Sequence, residues 1–436
     1  MHVILTPVGS AGDVNPFVIV GRELRRRGHR VTLVAPAVFA GSASNAGLDF
    51  KPLGTAEEFE RVTNNPDLWH PRRGLQVVFS QIAANLRRAY AALETVYEPD
   101  KTLLLAGSLA LSTRTFGELH NVPVATMHLA PSIFRSDFKQ PAMPSGADIS
   151  GWPRWAKRLL WWGLDRWAID PLITPALNGW RAELGLPPVS RIFKSWINAP
   201  QRVLGLFPDW FGEPQPDWPG QLRLTGFVLS DDSCAPYSRE AGLETADRGR
   251  SGSDDGLGLE QFLARGVAPV VFTPGSANRQ ATPFFRAAID ATSRLGRRAL
   301  LVTGFREHLP LVLPAHVHHV SYAAFATLFP RAAAIVHHGG IGTCAQGLAA
   351  GVPQLVMPMG FDQPDNASRI ARLGVGETIE PGQFTAERVA AALSRLLSSA
   401  DVADACQRCR DRVDGSRATR QTADLIEEQF TTFAPG

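Results

Sequence analysis

Between residues 336 and 353 the chain reads Val336-His-His-Gly-Gly-Ile-Gly-Thr-Cys-Ala-Gln-Gly-Leu-Ala-Ala-Gly-Val-Pro353. The apolar run Ala332 to Val336 predicts a short buried strand, and Thr343 to Ala350 has the spacing of a helix that Gly351 ends. The glycines in between allow a sharp turn and a close approach to a ligand. Because free N–H groups and the helix dipole favour anions there, the pattern predicts a phosphate-binding turn between a strand and a helix.

The residues around and after this turn are more specific than the turn itself. They are His338, Gly340, Gly342, Thr343, Gly351 to Pro353, Pro358, Asp362 and Gln363. In this pattern the segment resembles the C-terminal signature of the nucleotide-sugar glycosyltransferases of the UDP-glycosyltransferase-like family, which have the GT-B fold. The resemblance implies an α/β protein with two Rossmann-like parallel-sheet domains facing across a cleft.

The same resemblance implies which residues hold the donor. In that family the histidine contacts the pyrophosphate, the small residues after it bind phosphate oxygens, and the Asp-Gln pair, here Asp362 and Gln363, binds sugar hydroxyls. The spacing to Gly351 favours His338 as the phosphate ligand, while His337 stays open. The nucleotide- and phosphate-binding set that follows is Gly275, Ser276, Tyr322, His337, His338, Gly340, Gly342, Thr343 and Gln346.

For two residues of that set the family's role does not carry over directly. Many family members have glutamate for the ribose hydroxyls where this chain has Gln346, whose amide can bond a hydroxyl without charge assistance. Tyr322 stands where the family places its base-binding segment. Its side chain can stack on the pyrimidine, its backbone can recognise the base instead, or it can be a core tyrosine.

Composition and length limit the class of protein. A chain of 436 residues, 44% hydrophobic and 19% charged, predicts a globular protein of two domains. A net charge of +3 disfavours nucleic acid as the main partner. The four scattered cysteines suit a reducing compartment, residues 1–8 lack the features of a secretory signal, and no apolar run is long enough to span a bilayer. We therefore expect a cytoplasmic protein.

The N-terminal segment predicts the first of two parallel sheets. His2 to Thr6 reads as a buried strand, Pro16 to Arg27 as a helix and Arg30 to Ala35 as the next strand, with Gly9 to Asp13 as the loop between the first two. This is a βαβ unit, whose ligands lie at the carboxyl ends of the strands.

A change in composition predicts the domain boundary. From residue 230 to residue 258 the chain is rich in Ser, Asp, Gly and Arg and lacks periodicity. We therefore predict an acceptor-binding domain over 1–229, a linker over 230–258 and a nucleotide-sugar-binding domain over 259–436. Its last predicted helix, Ala400 to Gln429, is a candidate to cross back to the N-terminal domain.

Asp13 is the candidate catalytic base. The run Gly12-Asp13-Val14-Asn15-Pro16 resembles the pattern of family members that act on antibiotics and sterols, which implies that Asp13 deprotonates the acceptor hydroxyl. The alternative is that Asp13 caps the helix that begins at Pro16. In a closed cleft, desolvation should raise the pKa of its carboxyl group. No Asp-x-Asp triplet occurs, so we predict neither a metal nor another cofactor.

Tryptophans are concentrated in one region of the predicted acceptor domain. Seven of the ten occur between residues 152 and 196. Packed helices account for such a region as well as an apolar acceptor cleft or a membrane-facing surface does, since tryptophan is favoured where an apolar body meets a wet edge. The seven are Trp152, Trp155, Trp161, Trp162, Trp167, Trp180 and Trp196.

Segments outside the donor signature narrow the resemblance to the rhamnosyltransferases of bacterial rhamnolipid synthesis. They are Gly9 to Val14, Pro16-Phe17, Arg27 to Val31, Arg191 to Phe193, Phe207-Pro208, Asp217 to Pro219 and Thr225 to Phe227. The resemblance implies dTDP-L-rhamnose as donor and a 3-(3-hydroxyalkanoyloxy)alkanoate lipid as acceptor. It also implies a partner acyltransferase that supplies the lipid, and peripheral contact with the inner membrane.

Two other functions remain open at this point. One is a glucosyltransferase acting on another apolar alcohol, such as a sterol or a polyketide. The other is a non-catalytic subunit that binds a sugar nucleotide and activates a partner. The presence of Asp13 disfavours the second, because a silent copy should lose its base first.

Overall fold

The computed structural model describes residues 1–70, 73–142, 149–229, 251–276, 278 and 281–433. Two compact units make up the chain. The first comprises Met1–Val228 with Asp414–Gly436, and the second comprises Leu229–Val413. The predicted linker falls outside the described residues from 230 to 250, and its remainder belongs to a helix.

The first unit is a parallel sheet with helices. Its strands are β1 (His2–Thr6), β2 (Arg30–Ala35), β3 (Asp49–Pro52), β4 (Thr102–Gly107), β5 (Val124–His128), β6 (Arg202–Gly205) and β7 (Leu222–Leu224). The helices before residue 200 are α1 (Ala11–Arg26), α2 (Ala40–Asn45), α3 (Ala56–Thr63), α4 (Gly74–Glu94), α5 (Leu111–His120), α6 (Arg154–Leu164) and α7 (Asp170–Glu183).

Strand order in this sheet is β3-β2-β1-β4-β5-β6-β7, and every pairing is parallel. The central strands carry apolar runs that are buried along their length, as in β1 and β4. Burial on both faces is what helices on both sides of a parallel sheet produce. Because these strands are parallel, the loops that follow β1, β4 and β5 lie at the same edge of the sheet, at the carboxyl ends of the strands.

The second unit repeats this plan. Its helices are α8 (Ser251–Ala264), α9 (Thr282–Arg294), α10 (Phe325–Leu328), α11 (Ile341–Ala350), α12 (Gln363–Arg372), α13 (Ala386–Ser398) and α14 (Ala400–Arg410). Its strands are β8 (Val270–Thr273), β9 (Ala299–Val302), β10 (Val317–Val320), β11 (Ala334–His337), β12 (Gln354–Val356) and β13 (Gly376–Thr378), in the parallel order β10-β9-β8-β11-β12-β13. The prediction of two Rossmann-like parallel-sheet domains is confirmed.

The C-terminal segment differs from its prediction. In place of one helix from Ala400 to Gln429 there are two, α14 and α15 (Gly415–Phe433), and the chain passes from the second unit to the first between them. The break coincides with Asp414, whose Oδ1 accepts the backbone N–H of Arg417 at 2.8 Å and so satisfies a donor at the start of α15. The last helix of the chain therefore belongs to the first unit.

Arg27 joins α15 to the rest of the first unit. Its guanidinium donates to Glu23 at 2.8 Å, to Asp424 at 2.6 Å and to Glu427 at 2.7 Å. The Arg27 side chain is only 18% exposed, whereas the neighbouring Arg26 is 68% exposed and bonds Glu23 alone. These two adjacent arginines therefore offer a matched pair.

We expect Arg27→Ala to lower the free energy of unfolding of the first unit by about 1–3 kcal/mol, because three charged hydrogen bonds in a partly buried site are lost. Arg26→Ala should cost less than about 0.5 kcal/mol, since exposed ion pairs contribute little. Equilibrium urea unfolding of both variants measures the difference. Equal losses in the two variants would show that the contacts between α15 and Arg27 do not stabilise the unit.

Candidate functional site

Asp13 lies in the first turn of α1, not before it. The helix begins at Ala11, five residues earlier than predicted, so Pro16 is inside it and Ser10 is the N-cap. The Asp13 carboxylate folds back, and its Oδ2 accepts the Ser10 backbone N–H at 2.8 Å and the Ser10 hydroxyl at 3.2 Å. Asp13 is thus the third helical residue of a capping box and not the N-cap that the alternative assumed.

The glycine before this turn makes room for the carboxylate. Gly9 has a φ of +138°, and a Cβ placed on it would come within 2.1 Å of Asp13 Oδ2. Burial raises the pKa of Asp13 above its ordinary value, although the two hydrogen bonds from Ser10 oppose the shift. The expected direction of this shift is confirmed. A carboxylate with a raised pKa is the stronger base.

A second polar cluster, which the sequence did not reveal, lies at the same edge of the first sheet. His128, the last residue of β5, is fully buried, and its Nδ1 and Nε2 lie 2.8 Å from Ser108 Oγ and 3.0 Å from Asn198 Oδ1. Burial lowers its pKa to about 4, so the ring is neutral at pH 7. Asn198 then accepts from Nε2–H, and Nδ1 accepts from the Ser108 hydroxyl. The one sequence feature that could have indicated this cluster was a histidine at a strand end.

Asn198 also lines a cavity of about 210 Å³ in the first unit. Aromatic and cationic side chains surround it, among them Phe134, Phe193, Lys194 and Trp218.

In the second unit, the predicted turn follows β11 and leads into α11. Gly339 has a φ of +88°, Gly340 is the N-cap, and Gly351 ends the helix with a φ of +68°. A Cβ on Gly342 would meet no atom within 4 Å, so the first turn of the helix is open on that side. The strand, glycine turn and helix are as predicted, and their N–H groups suit an anion.

The two histidines at this turn have different environments. His337 is fully buried; its Nδ1 accepts the Gly339 N–H at 3.1 Å, and its Nε2 lies 3.0 Å from Gln354 Oε1. Burial is the main reason that its pKa falls to about 3. Both ring nitrogens of His337 are therefore used within the unit, where they tie β11 and the turn to β12.

His338 has no such partners. Its Nδ1 is buried and makes no hydrogen bond to any described residue. Its ring lies between two glycines, since a Cβ would come within 2.7 Å of it from Gly275 and within 2.5 Å from Gly340. Burial lowers the pKa of His338 to about 4, so the neutral ring can present one N–H to a ligand. Of the two histidines that the sequence left open as the phosphate ligand, these environments therefore favour His338.

The Asp362-Gln363 segment lies against this turn. Asn366 Nδ2 donates to Gly339 O at 2.9 Å and to Asp362 Oδ2 at 2.8 Å, so it joins the two segments. Gln363 is buried, and its Oε1 accepts the N–H groups of Met359 and Gly360 at 2.8 and 3.2 Å. Asn366 lies one helical turn after Asp362, and this spacing in the sequence could have predicted the contact between them.

The remaining predicted residues of the donor set lie in α11 and after the strands β8 and β10. Thr343 and Gln346 are buried in α11, and Ser276 is exposed after β8. Tyr322 follows β10, three strands from β11, which corresponds to about 14 Å. Its side chain is 42% exposed, so it is not a core residue.

We expect the two histidine variants to behave differently. His337→Ala removes a buried ring and leaves Gln354 without its donor, so the free energy of unfolding should fall by about 2–4 kcal/mol. His338→Ala should change stability by less than about 1 kcal/mol but weaken binding of a nucleoside diphosphate at least about tenfold. Urea unfolding and calorimetry separate the two effects. Unchanged affinity in His338→Ala would exclude this ring as a phosphate ligand.

Comparison with known proteins agrees with this fold. The model of the glycosyltransferase family 28 N-terminal domain matches residues 3–136, and that of the erythromycin biosynthesis protein CIII-like C-terminal domain matches residues 300–426. O-mycaminosyltylonolide 6-deoxyallosyltransferase of Streptomyces fradiae is 30% identical over 100% of both chains.

Solved structures show the same fold. The glycotransferase of kitacinnamycin superposes with a TM-score of 0.71 at 22% identity over 98% of this chain and 99% of its own. The spinosyn rhamnosyltransferase SpnG complexed with thymidine diphosphate superposes with a TM-score of 0.63 at 18% identity, over 98% and 99% of the two chains. With its two Rossmann-like domains and full-length relatives of this kind, the chain belongs to the GT-B glycosyltransferases and is an enzyme that transfers sugar.

Proposed function

We propose that the enzyme moves L-rhamnose from dTDP-L-rhamnose to the hydroxyl of a 3-(3-hydroxyalkanoyloxy)alkanoate lipid, with inversion and without a metal. The observation that carries the donor site is the Nδ1 of His338, which is buried beside the N-terminus of α11 and has no hydrogen-bond partner among the described residues. An anionic pyrophosphate would give this nitrogen a partner and lie at the positive end of the helix dipole.

The chemistry is a single displacement. Asp13 would remove the proton of the acceptor hydroxyl, and its raised pKa suits this task. The acceptor oxygen forms a bond to C1 of the sugar while the bond from C1 to the phosphate oxygen breaks. The leaving dTDP carries the negative charge, which His338 and the N–H groups of Gly340, Gly342 and Thr343 would stabilise.

Five other predicted residues have subsidiary roles in the proposal. Asp362 would bind sugar hydroxyls, and the exposed Tyr322 and Ser276 would contact the nucleotide. His337 is better assigned as a positioning residue, because both of its nitrogens are bonded within the unit. Gln363 holds the turn at Met359 and Gly360 through Oε1, which leaves its amide N–H groups as the donors for a sugar.

The identity of the donor rests on two observations. Thymidine diphosphate is the ligand named for the structurally similar spinosyn rhamnosyltransferase. The segments Arg191 to Phe193, Asp217 to Pro219 and Thr225 to Phe227 resemble rhamnolipid-type rhamnosyltransferases. We further propose that the enzyme works in the cytoplasm at the inner membrane and receives its lipid from an acyltransferase, since such an acceptor must be made by ester formation between two hydroxyacyl groups.

A polyketide acceptor is the second candidate. The relative from Streptomyces fradiae is named for transfer of a 6-deoxyallosyl group to O-mycaminosyltylonolide, and it matches the whole chain. This reading keeps every role in the donor site and changes only the acceptor.

A panel of donors and acceptors tests the proposal. dTDP-rhamnose, dTDP-glucose and UDP-glucose are each combined with the lipid and with a macrolide aglycone, in excess EDTA. We expect rhamnosyl transfer from dTDP-rhamnose to the lipid, at a rate that chelation does not change. Preferred transfer to the macrolide would replace the lipid assignment, and activity that returns only with added Mg²⁺ would contradict the metal-free site.

Asp13→Asn tests the base. Asparagine keeps an oxygen for the Ser10 N–H but lacks basicity, so kcat should fall by about 10²–10⁴ while affinity for dTDP-rhamnose is unchanged. Ser10→Ala is the control for the capping box, and it should alter stability more than kcat. If Asp13→Asn retains activity within about threefold of the parent, the aspartate only caps the helix.

Asp362→Ala tests the sugar contact. Each charged hydrogen bond lost should cost about 1.5–3 kcal/mol of binding free energy, and the loss should appear with dTDP-rhamnose but not with free dTDP. Asn366→Ala is the matched control, because it breaks the link to Gly339 and keeps the carboxylate. Equal weakening of dTDP and dTDP-rhamnose in Asp362→Ala would indicate that this aspartate supports the turn.

A further inference from the structure

One surface of the first unit exposes large apolar side chains on the helix α6 and the π-helical turn Asp165–Ile169 that follows it. We call this surface the tryptophan face. Trp155 is 69% exposed, Leu159 59%, Trp162 46% and Trp167 70%. Monomeric proteins rarely expose several large apolar residues side by side, and such a patch marks a contact surface.

The spacing places the face on one side of the helix. Residues 155, 159 and 162 are four and three positions apart, so their side chains form one stripe. Trp167 continues the stripe, because its ring packs edge to face on Trp162 with centroids 5.1 Å apart. From Trp155 to Trp167 the stripe is about 18 Å long.

The opposite side of the helix is firmly held. Lys157 is buried, and its Nζ donates to the carbonyl oxygens of Phe138 at 3.3 Å and Ser150 at 2.8 Å. Asp165 is also buried and pairs with Arg135. The tryptophan face therefore points away from a fixed inner side, and its exposure is not that of a frayed helix.

The exposed charges of the segment that carries the face have one sign. From residue 149 to residue 182, where every residue is described, the exposed charged residues are Arg154, Arg158 and Arg166, and none is acidic. Asp165 and Asp170 are the carboxylates of this segment, and both are buried. Arg158 bonds Asp137 at 2.9 Å, and Arg154 lies over the Phe138 ring at 3.6 Å, which keeps both near the face.

We propose that the tryptophan face docks on the surface of an anionic lipid bilayer, which rests on the membrane location of the proposed function and assigns it to one surface of the first unit. Tryptophan is favoured at the boundary between headgroups and acyl chains, and an interfacial helix combines an apolar stripe with arginines that reach lipid phosphates. A second copy of the chain fits less well, because a symmetric contact would bring two cationic faces together. The bilayer supplies both the apolar layer and the opposite charge.

The test uses the full-length enzyme and vesicles. Cosedimentation with vesicles of phosphatidylglycerol and phosphatidylcholine should show binding at least about tenfold tighter than with phosphatidylcholine alone, and the difference should shrink as salt is raised. Tryptophan emission should shift to the blue on binding. Equal binding to both kinds of vesicle, or binding to neither, would overturn the proposal.

Leu159→Glu/Trp162→Glu should reduce vesicle binding at least about tenfold, because two carboxylates are placed in the stripe. Leu311→Glu/Val312→Glu is the matched control: these side chains are 96% and 84% exposed in the second unit, and binding should be unchanged. Both variants should retain the thermal unfolding and dTDP affinity of the parent.

Arg158→Gln/Arg166→Gln provides an independent variant, which should lose the preference for phosphatidylglycerol and keep its fold. Vesicle binding by Leu159→Glu/Trp162→Glu equal to that of the parent would contradict the proposal. A second result would also contradict the proposal: the parent does not bind vesicles but forms a dimer, and Leu159→Glu/Trp162→Glu dissociates that dimer. Light scattering detects the dimer.

Discussion

The hydrogen bonds of His337 are the constraint on which the proposed donor site depends. Its two ring nitrogens hold Gly339 and Gln354, and this fixes the path of the chain from β11 into α11. Asn366 holds Gly339 from the other side through its carbonyl oxygen. With the turn fixed in this way, His338 is placed between Gly275 and Gly340 with one nitrogen unpartnered among the described residues. The buried His337 thus positions the ring of His338, the residue next to it in the chain.

The first unit uses the same physical device at Asp13. A glycine with positive φ removes a steric conflict, and a hydrogen-bonded turn then fixes the polar group at the end of a central strand. In both units burial disfavours the charged form of the group, since the pKa of Asp13 is raised and that of His338 is lowered. Desolvation is the main cause of each shift.

Local patterns in the sequence predicted much of this arrangement. Gly351 and the apolar run before His337 were enough for the strand, turn and helix, because each depends on neighbours in the chain. The start of α1 was misplaced at Pro16, since the capping by Ser10 and Asp13 competes with the stronger proline signal. Partners such as Asn198 for His128 are 70 residues away in sequence, so no local pattern could show them. Exposure of the tryptophans likewise depends on which side of α6 is packed, and the composition alone left both readings open.

The most direct test of the central claim is nitrogen NMR of the enzyme labelled at its histidine rings, titrated with dTDP, with the His337→Gln and His338→Gln variants for assignment. We predict that the Nδ1 resonance of His338 shifts on binding as that nitrogen gains a phosphate partner, while both resonances of His337 keep their positions. Shifts confined to His337, or no shift at either ring at saturating dTDP, would contradict the placement of the phosphate at this turn.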